Sequence, residues 1–545
     1  MKYFGLKLLL ICLLLPVFQN HAEDAVKLLK PTSEVSLSPS YGDTLVQQCR
    51  VNPETFNPLF VNSAADSEIL GLIFESLTQV NADLTLSPCL ADSWEVSRDN
   101  KRITYYLKKN VKWHDGVNFT AEDVRFTFEK IMDPVVGSNL QCFFVDASTV
   151  EIINTYEVSI LMKKPTPDLP VITSTGIIPK HIFERENLAT SEYSKHPIGT
   201  GPFKFFEYKQ GEQVVLAANQ DYFGERPYLN RVIFKIIPDT SASLLSLLRG
   251  ELDLMLLNPD YYTKQANSKE FHDKFNIYTC PSYVSGAVAF NLDDPILKDR
   301  NIRRALTIAI NRQSIIDNVY YGFGKTVATD VLPTCWAFDS SVPQYPYDPE
   351  QAKKILSDAG WKDMDQDGIL ERNGEKFTLE FSTSKGDKLL ADIIRDSWKA
   401  IGINVKSQLL DWGKFVEQLT HHKFQATIMC WQQSSALYDP FGLWHSSQIP
   451  DEKNGYSGAN VISYRNPEID RLCELSRSTF DREKLKEIYF KMQAIIHEDQ
   501  PYVFLYTTDF IYAVSKRFHG IKPANAGIFY NFPYWYVPEG LQKYK

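Results

Sequence analysis

The sequence predicts a mixed α/β protein, and three observations support that fold class. Short alternating runs typical of strands are interspersed with helix-like apolar stripes along the whole chain. No internal repeat and no low-complexity block interrupts this order. A chain of 545 residues is too long for a single core, so we expect two or three folding units.

A hairpin and a helix are predicted between residues 94 and 131. Apolar side chains alternate on both sides of the turn Arg98-Asp99-Asn100, which predicts two antiparallel strands with one buried face. Thr120 then precedes Asp123 by three residues, a capping-box helix start in which Asp replaces the usual Glu or Gln. The apolar stripe of this helix consists of Val124, Phe128 and Ile131.

Three more helices are predicted from local signals. Asp348 caps a helix with proline in its first turn, and this helix ends at Gly360. Leu389–Ile401 carries an apolar stripe, stops at Gly402 and leads into a strand. Asn301–Asn318 is predicted to form one helix with one apolar face.

Residues 1–22 are predicted to be a secretory signal peptide. Lys2 precedes an apolar stretch from Phe4 to Phe18, and cleavage is expected after Ala22. Lipid attachment at Cys12 is not expected, because a bulky residue precedes this cysteine. No later segment approaches the roughly 18 uninterrupted apolar residues that a membrane-spanning helix requires. We therefore expect an exported periplasmic protein.

The stretch Leu90–Ile131 also carries a specific string of residues. It reads W-x-V from Trp94, W-H-D-G from Trp113 and T-A-E-D-V-x-F-T from Thr120. This string resembles a signature of the peptide-type extracellular solute-binding proteins, family 5, which deliver cargo to ABC importers. Matches continue in order through His196–Phe203 and on to Tyr464–Asp470. The resemblance therefore covers nearly all of the chain after the signal peptide.

This resemblance implies an α/β clamshell of the periplasmic-binding-protein type (type II-like, cluster C), with two lobes and an extra inserted domain. Lobe 1 is expected to be discontinuous and to comprise residues 23–65, 195–279 and 507–545. The inserted domain is expected at residues 66–194, and lobe 2 at residues 280–506. The glycines of the turn His196–Phe203 are expected to adopt backbone angles that other residues disfavour.

The resemblance further implies a ligand cleft between the lobes, with aromatic walls and a few polar groups, that grips an extended peptide. Trp412 and Trp431 match aromatic wall residues, although each could instead be a core tryptophan. Arg50 could bind a ligand carboxylate or form an ordinary surface ion pair. Phe143, next to Phe144, could reach the cleft or belong to the core of the inserted domain.

The segment after Trp431 departs from the family pattern. Peptide binders of the family often carry W-x-x-D-Y-x-D-P, whose first Asp binds the amino group of the peptide. Here that position falls near Ala436, whereas Tyr438, Asp439 and Pro440 keep the end of the motif. Tyr438 and Asp439 are therefore candidate ligand residues, and Asp439 is equally suited to a turn before proline. Either Asp439 or another acid replaces the missing Asp, or the ligand amine is blocked, distant or absent.

No cofactor and no metal ion is predicted. Asp363–Gly368 resembles the start of a calcium loop, but the twelfth position is Gly374 instead of Glu, which favours a solvated turn. The adjacent His421-His422 point apart on a regular backbone. Seven cysteines follow residue 22, an odd number, and none forms C-x-x-C. A Cys280–Cys430 bridge is suggested only by relatives that carry a disulfide near these two regions.

The expected function is capture of a short peptide or peptide-like compound by a monomeric receptor, which closes on its ligand and docks on the permease subunits of an ABC importer. The formal charge of −9 argues against nucleic acid as a partner. Enzymatic activity is not expected, because Ser382–Lys385 fits S-x-x-K but K-T-G and S-D-N do not follow it. The alternatives are a metal chelate, a saccharide or a cell-wall fragment as ligand, or a hydrolase or surface adhesin that reuses the fold.

Overall fold

The structure, a computed structural model, describes residues 38–544 except 62, 145, 167–168, 189, 433–437 and 457. The chain divides into two units, Met1–Pro39 and Ser40–Lys545, and all described helices and strands lie in the second unit. The predicted signal peptide at residues 1–22, with Cys12, lies outside the described residues. Among those described, no helix has the length and apolar character that crossing a bilayer would demand.

The strands of the described part of the chain are β1 Thr44–Cys49, β2 Thr78–Val80, β3 Leu86–Pro88, β4 Ala91–Val96, β5 Arg102–Leu107, β6 Ala147–Asn154, β7 Glu157–Met162, β8 Phe203–Lys209, β9 Gln213–Ala218, β10 Arg231–Ile236, β11 Leu254–Leu257, β12 Phe275–Phe290, β13 Gly324–Thr326, β14 Glu371–Arg372, β15 Glu375–Lys376, β16 Thr378–Ser384, β17 Asn404–Leu410, β18 Ala426–Gln432 and β19 Tyr502–Ser515.

The α-helices are α1 Ala64–Ile73, α2 Ala121–Met132, α3 Leu169–Ile172, α4 Lys180–Phe183, α5 Thr240–Leu248, α6 Pro259–Tyr261, α7 Lys269–Lys274, α8 Arg300–Ile308, α9 Arg312–Val319, α10 Pro349–Asp358, α11 Lys388–Lys399, α12 Trp412–Thr420, α13 Phe441–Trp444, α14 Pro467–Arg477 and α15 Arg482–Asp499.

The long strands β12 and β19 connect the two lobes of the fold. The large sheet has the order β17-β16-β18-β12-β19-β11-β1-β10-β9-β8, with β13 paired to β19. The amino-terminal half of β12 pairs with residues 509–515 of β19, and its carboxyl-terminal half pairs with residues 502–507. The register shifts between Pro281 and Ser285, and Tyr283 in this gap has a φ of 58°. The two-lobed clamshell predicted from the sequence is confirmed, and the lobes meet where this strand pairing is interrupted.

Each lobe buries apolar side chains on both faces of its part of the sheet. In lobe 2, Phe381 and Trp398 belong to the core on one face, and Trp444 and Tyr502 belong to the core on the other. Lobe 1 is likewise covered on both faces. Full burial of one such side chain contributes about 1.5–3 kcal/mol to the free energy of unfolding. The core of each lobe therefore stabilises the sheet and fixes the position of its edge.

A separate four-stranded sheet, β4-β5-β7-β6, lies within residues 66–194, the range predicted for the inserted domain. Its first two strands form the predicted hairpin. The predicted capping box is confirmed, because the backbone N–H of Thr120 donates to the Asp123 carboxylate at 2.9 Å at the start of α2. The core of this sheet is continuous with that of lobe 1. The domain bounds stay a prediction, and residue 66 lies inside α1 rather than in a linker.

Of the three remaining helix predictions, two are confirmed. Asp348 caps α10, and α11 leads into β17 as predicted. The prediction of one helix over Asn301–Asn318 is wrong, because α8 and α9 are separate. The side chain of Asn311 accepts the backbone N–H of Ser314 at 3.0 Å and starts α9. Asparagine competes for backbone N–H groups, so it favours a cap over a helix interior.

The glycines of the turn His196–Phe203 serve a different purpose from the one predicted. Neither Gly199 nor Gly201 has a positive φ. A β-carbon on Gly199 would lie 1.8 Å from the carbonyl oxygen of Ile73. The N–H of Gly201 donates to that same oxygen at 2.8 Å. Glycine is therefore required because the turn packs directly against the backbone at the end of α1.

The suggested Cys280–Cys430 bridge is wrong. Both thiols are free. Cys430 in β18 pairs with Gly286 of β12, which lies six residues beyond Cys280 on the same strand. At about 3.3 Å per residue these positions are roughly 20 Å apart along the strand. A disulfide needs α-carbons within about 7 Å, so the register excludes this pairing.

Candidate functional site

The carboxyl ends of the parallel strands in both lobes lie at the crossing between the lobes. In lobe 2, β16 is parallel to β17 and β18, and the last residue of β18, Gln432, pairs with Val284 in the interrupted part of β12. In lobe 1, β1 is parallel to β10 and β11, and Leu257 at the end of β11 pairs with Ile511 of β19. Ligands of open α/β sheets bind outside the carboxyl ends of the strands. The two edges therefore face one candidate cleft.

Trp412 and Trp431 both lie at the carboxyl edge of lobe 2. Trp412 is the first residue of α12, and 70% of its surface is exposed. It stacks on Phe415, with ring centroids 5.6 Å apart. Trp431 is half-buried near the end of β18, opposite Ser285. Trp412 is therefore not a buried core tryptophan, which was its alternative role. Part of the Trp431 ring remains accessible to solvent. Ligand contact by either residue stays a prediction.

Arg50 directly follows β1 at the carboxyl edge of lobe 1. Its Nη2 group donates to the carbonyl oxygen of Leu256 at 2.7 Å, and the side chain remains exposed. Within the described part of the chain, Arg50 forms no ion pair at salt-bridge distance. The surface ion pair that was its alternative role is thus not observed, and the guanidinium keeps free N–H donors.

Glu68, on the exposed face of α1, is the acidic neighbour of Arg50. Its carboxylate takes part in no hydrogen bond or close ion pair among the residues described. The surrounding protein desolvates this carboxyl and raises its pKa to about 7, while the charge of Arg50 acts in the opposite direction. Burial, and then the charge of Glu68, raise the pKa of Tyr512 on β19. An exposed acid whose pKa is raised by desolvation, next to a specific charged neighbour, is a candidate for a functional site.

Tyr283 lies in the interrupted segment of β12 and connects it to the C-terminal tail. Its hydroxyl donates to the carbonyl oxygen of Asn525. Burial raises the pKa of Tyr283 to about 12, with a smaller contribution from the thiols of Cys280 and Cys335. These thiols therefore lie near the crossing, Cys280 on β12 before the interruption and Cys335 in the segment between β13 and α10.

Tyr438 and Asp439 are engaged with other side chains of lobe 2. The hydroxyl of Tyr438 donates to the buried carboxylate of Asp330 at 2.8 Å, and the indole N–H of Trp444 donates to it at 2.9 Å. Burial raises the pKa of Asp330. Asp439 forms an ion pair with Arg477 at 2.6 Å and accepts a backbone N–H two residues later. The turn interpretation of Asp439 accounts for these contacts, and a ligand role for either residue stays a prediction. Residues 433–437, including the position of the missing Asp near Ala436, lie outside the described residues.

Phe143 and Phe144 differ in their surroundings. Phe144 is buried and packs on Phe128 of α2, with centroids 5.3 Å apart. Phe143 is 51% exposed. The preceding segment is attached to lobe 1, because the hydroxyl of Ser138 donates to the carbonyl oxygen of Leu59 at 2.8 Å. The core alternative therefore holds for Phe144 and fails for Phe143, whose contact with a ligand stays a prediction.

The three carboxylates of Asp363, Asp365 and Asp367 converge at the surface. The ammonium group of Lys376 lies 3.1 Å from Asp365 and also pairs with Asp367. It lowers the pKa of Asp367. A cation of the protein itself thus offsets part of the negative charge of this cluster, which agrees with the solvated-turn interpretation. Ser382 of the S-x-x-K match is buried within β16.

Sequence reasoning did not identify Glu68 or Tyr283. Asp66, Ser67 and Glu68 read as an ordinary acidic first turn of an amphipathic helix. The spacing of Ser63 and Asp66 indicates a capping box for Asp66, but no motif marks Glu68, which faces outward. The left-handed backbone of Tyr283 has no sequence signal either, since tyrosine rarely adopts it.

Comparison with known proteins assigns the family. Residues 85–450 match the family model of bacterial extracellular solute-binding proteins, family 5 Middle. The chain is 32% identical to the oligopeptide-binding protein AppA of Bacillus subtilis, over 98% of each chain. A structure of AppA with a nonapeptide has a TM-score of 0.74 and 32% identity, covering 92% of this chain and 100% of that one.

Two other solved structures are similar. NikZ from Campylobacter jejuni, in complex with Ni(L-His), is 30% identical with a TM-score of 0.74, covering 91% of this chain and 99% of its own. The ABC transporter substrate-binding protein CtaP from Listeria monocytogenes is 28% identical with a TM-score of 0.81, covering 92% of this chain and 100% of its own. The chain belongs to the bacterial extracellular solute-binding proteins, family 5, a family of binding proteins and not of enzymes.

Proposed function

We propose that this protein is the periplasmic binding component of an ABC importer, and that it captures short peptides or peptide-like solutes between its lobes. The observation that carries the proposal is the meeting of the two carboxyl edges at the crossing, with accessible tryptophans on one edge and, on the other, an arginine that forms no ion pair among the described residues. Likeness to AppA, whose structure holds a nonapeptide, supports peptide as the cargo.

Capture requires the lobes to close around the ligand. The interrupted pairing of β12 and β19 is the segment at which the lobes change their relative angle. A ligand that changes an open-to-closed ratio from 99:1 to 1:99 must bind the closed form about 10⁴-fold more tightly. The closed form then docks on the permease subunits. The receptor acts as a monomer, exported by the signal peptide at residues 1–22.

The ligand-contacting residues in this proposal are the six predicted from the sequence. Trp412 and Trp431 supply the aromatic wall, because flat, accessible rings pack against varied side chains. Arg50 offers free donors to a carboxylate. Phe143 reaches in from the inserted domain. Tyr438 and Asp439 border the undescribed residues 433–437 and act at the edge of the site, where each also braces lobe 2.

Native mass spectrometry of the protein purified from its own periplasm tests the proposal. A series of co-purifying peptide masses is the expected result. A single defined non-peptide mass would contradict the peptide cargo and leave the binding-protein family intact. A metal chelate is the alternative with an observation in its favour, since NikZ, which is 30% identical, is solved with Ni(L-His). Elemental analysis of the same sample for nickel and iron separates the two.

A further inference from the structure

We propose that the carboxylate of Glu68 is the anion that pairs with the ammonium group of the ligand, opposite in charge to the neighbouring Arg50. This inference rests on the function proposed above and specifies the chemistry of its site. The ammonium group is the α-amine of a peptide or the side chain of a lysine, and the same carboxylate suits both.

The first argument is the state of Glu68 in the folded protein. Its side chain is exposed, and it accepts no hydrogen bond among the described residues. Carboxylates in proteins ordinarily satisfy their oxygens with N–H groups, cations or water, and an unsatisfied one in a desolvated position is costly. The desolvation that raises its pKa is a cost that a bound cation removes. A free, partly desolvated carboxylate is a site prepared for a positive partner.

The second argument is position. Glu68 lies on α1, beside Arg50 at the carboxyl end of β1. Its charge acts on Tyr512 of β19, which pairs with Tyr278 of β12 just before the interrupted segment. Glu68 thus stands on the lobe 1 wall of the cleft. Trp412 and Trp431 stand on the edge of lobe 2.

The third argument is charge. Arg50 forms no ion pair with Glu68 or another carboxylate at salt-bridge distance among the described residues, so both groups keep atoms available to a ligand. One wall therefore presents an acid and a base side by side. A zwitterionic segment, with its ammonium on Glu68 and a carboxylate or carbonyl on Arg50, matches this pair. The missing Asp after Trp431 is consistent with an amine held from the other lobe.

The test uses the full-length mature protein and a defined mixture of unmodified peptides of two to nine residues with their N-acetylated counterparts, each with and without lysine. Bound masses are read by native mass spectrometry for the wild type and for Glu68→Gln. We expect the wild type to retain peptides with an ammonium group at least about tenfold better than acetylated peptides without lysine, because the latter lack one charge-assisted contact. The variant Glu68→Gln should bind peptides with and without an ammonium group equally well. Binding of the acetylated peptides that contain lysine shows whether Glu68 pairs with the α-amine or with the lysine side chain.

The control variant Glu192→Gln removes the same charge from an exposed surface pair with Lys195 and should keep the wild-type preference. A wild-type preference that persists in Glu68→Gln would overturn the inference. Equal binding by the wild type of peptides with and without an ammonium group would also overturn the inference. That result would leave the proposed function intact. Retention of no peptide at all by the wild type would overturn the proposed function itself.

A second readout is the pH dependence of affinity. The charged or titratable groups that face Glu68 are Arg50 after β1, Cys49 in β1 and Tyr512 on β19. Affinity for a free-amine peptide should rise about tenfold from about pH 5.5 to about pH 7, as Glu68 ionises. The amine of the peptide titrates equally with both proteins. A rise of the same size in Glu68→Gln would therefore contradict the assignment.

Discussion

The ring of Trp431 meets the ring of Tyr502 edge to face, with centroids 4.9 Å apart and planes at 87°. Tyr502 is fully buried and packs in the same manner on Trp444, whose centroid is 5.7 Å away. The core of lobe 2 thus holds one side of Trp431 and leaves the rest of the half-buried ring accessible at the end of β18.

Trp431→Ala should weaken both folding and binding. Loss of the edge-to-face contact and of the buried part of the ring lowers the free energy of unfolding by roughly 2 kcal/mol, less than for a fully buried tryptophan. The dissociation constant of a retained peptide should rise about tenfold or more. Urea denaturation and calorimetric titration measure the two effects. Trp431→Phe keeps much of the contact with Tyr502, so a Phe variant as unstable as the Ala variant would contradict the packing role.

Trp412→Ala should separate binding from folding. The side chain is 70% exposed and touches Phe415, so the free energy of unfolding should change by no more than about 0.5 kcal/mol. Peptide affinity should nevertheless fall about fivefold or more, as expected for loss of an aromatic wall. Val416→Ala, on the same helix and 38% exposed, is the control. Unchanged peptide affinity in Trp412→Ala would remove this residue from the site.

His114 makes the stability of the protein fall on mild acidification. The ring is held between the backbone N–H of Gly199 at 3.2 Å and the carbonyl oxygen of Gly201 at 3.0 Å. Desolvation lowers the pKa of His114 to about 4. An unfolded imidazole protonates near pH 6.5, so the unfolded state binds more protons below that pH and stability decreases from about pH 6.5 to about pH 4.

The comparison of Tm near neutral pH and at about pH 4.5 checks this prediction. His114→Gln should lose less Tm across that interval than the wild type. His272→Gln, at a partly exposed histidine that contacts Asn267, should behave like the wild type. An identical pH dependence in all three proteins would contradict a role for His114.

Gly199→Ala should be strongly destabilising because the new β-carbon would lie 1.8 Å from the Ile73 carbonyl oxygen. The backbone must move to relieve this overlap, which costs about 3 kcal/mol or more. Gly71→Ala on α1 is the matched control, since its β-carbon meets nothing within 4 Å. That variant should be neutral or slightly more stable, because alanine favours a helix. Chemical denaturation measures both, and similar values for the two would contradict the steric explanation.

The Asp363–Asp367 cluster should not bind calcium in the wild type. Lys376 already contributes a positive charge to Asp365 and Asp367. Millimolar calcium should therefore leave Tm unchanged, and so should a chelator. Lys376→Met removes the competing cation and is the variant in which calcium has the best chance to stabilise the loop. A calcium-dependent rise of Tm in the wild type that Asp365→Asn abolishes would contradict this prediction.

Local elements were predictable where the deciding contacts lie within a few residues. The capping box of Thr120 and Asp123, and the Asp348 cap, each depend on atoms within one helical turn. The prediction over Asn301–Asn318 failed because apolar spacing continues through Asn311, while a side-chain hydrogen bond starts a new helix there. The Cys280–Cys430 suggestion failed because strand register is a long-range property.

The candidate site was predictable only in part. Trp412, Trp431 and Arg50 were predicted by resemblance, and each lies at a carboxyl edge facing the crossing. Asp439 and Tyr438 were also predicted, and their internal partners, Arg477 and Asp330, are distant in sequence. Ligand contact by all five residues stays a prediction. Glu68 carries no motif, and its significance depends on desolvation by segments that only the fold brings near.

The sequence by itself determined the family, the α/β class and the helices and hairpins whose caps and turns are local, because those signals act between near neighbours. Only the tertiary structure decided why Gly199 must be glycine, which tryptophans remain accessible and which acid has no hydrogen-bond or ion-pair partner within the described part of the chain. These properties depend on distances between segments far apart in the chain, such as α1, β1 and β19 around Glu68. Solvation and packing at such places follow from the assembled fold and not from local pattern.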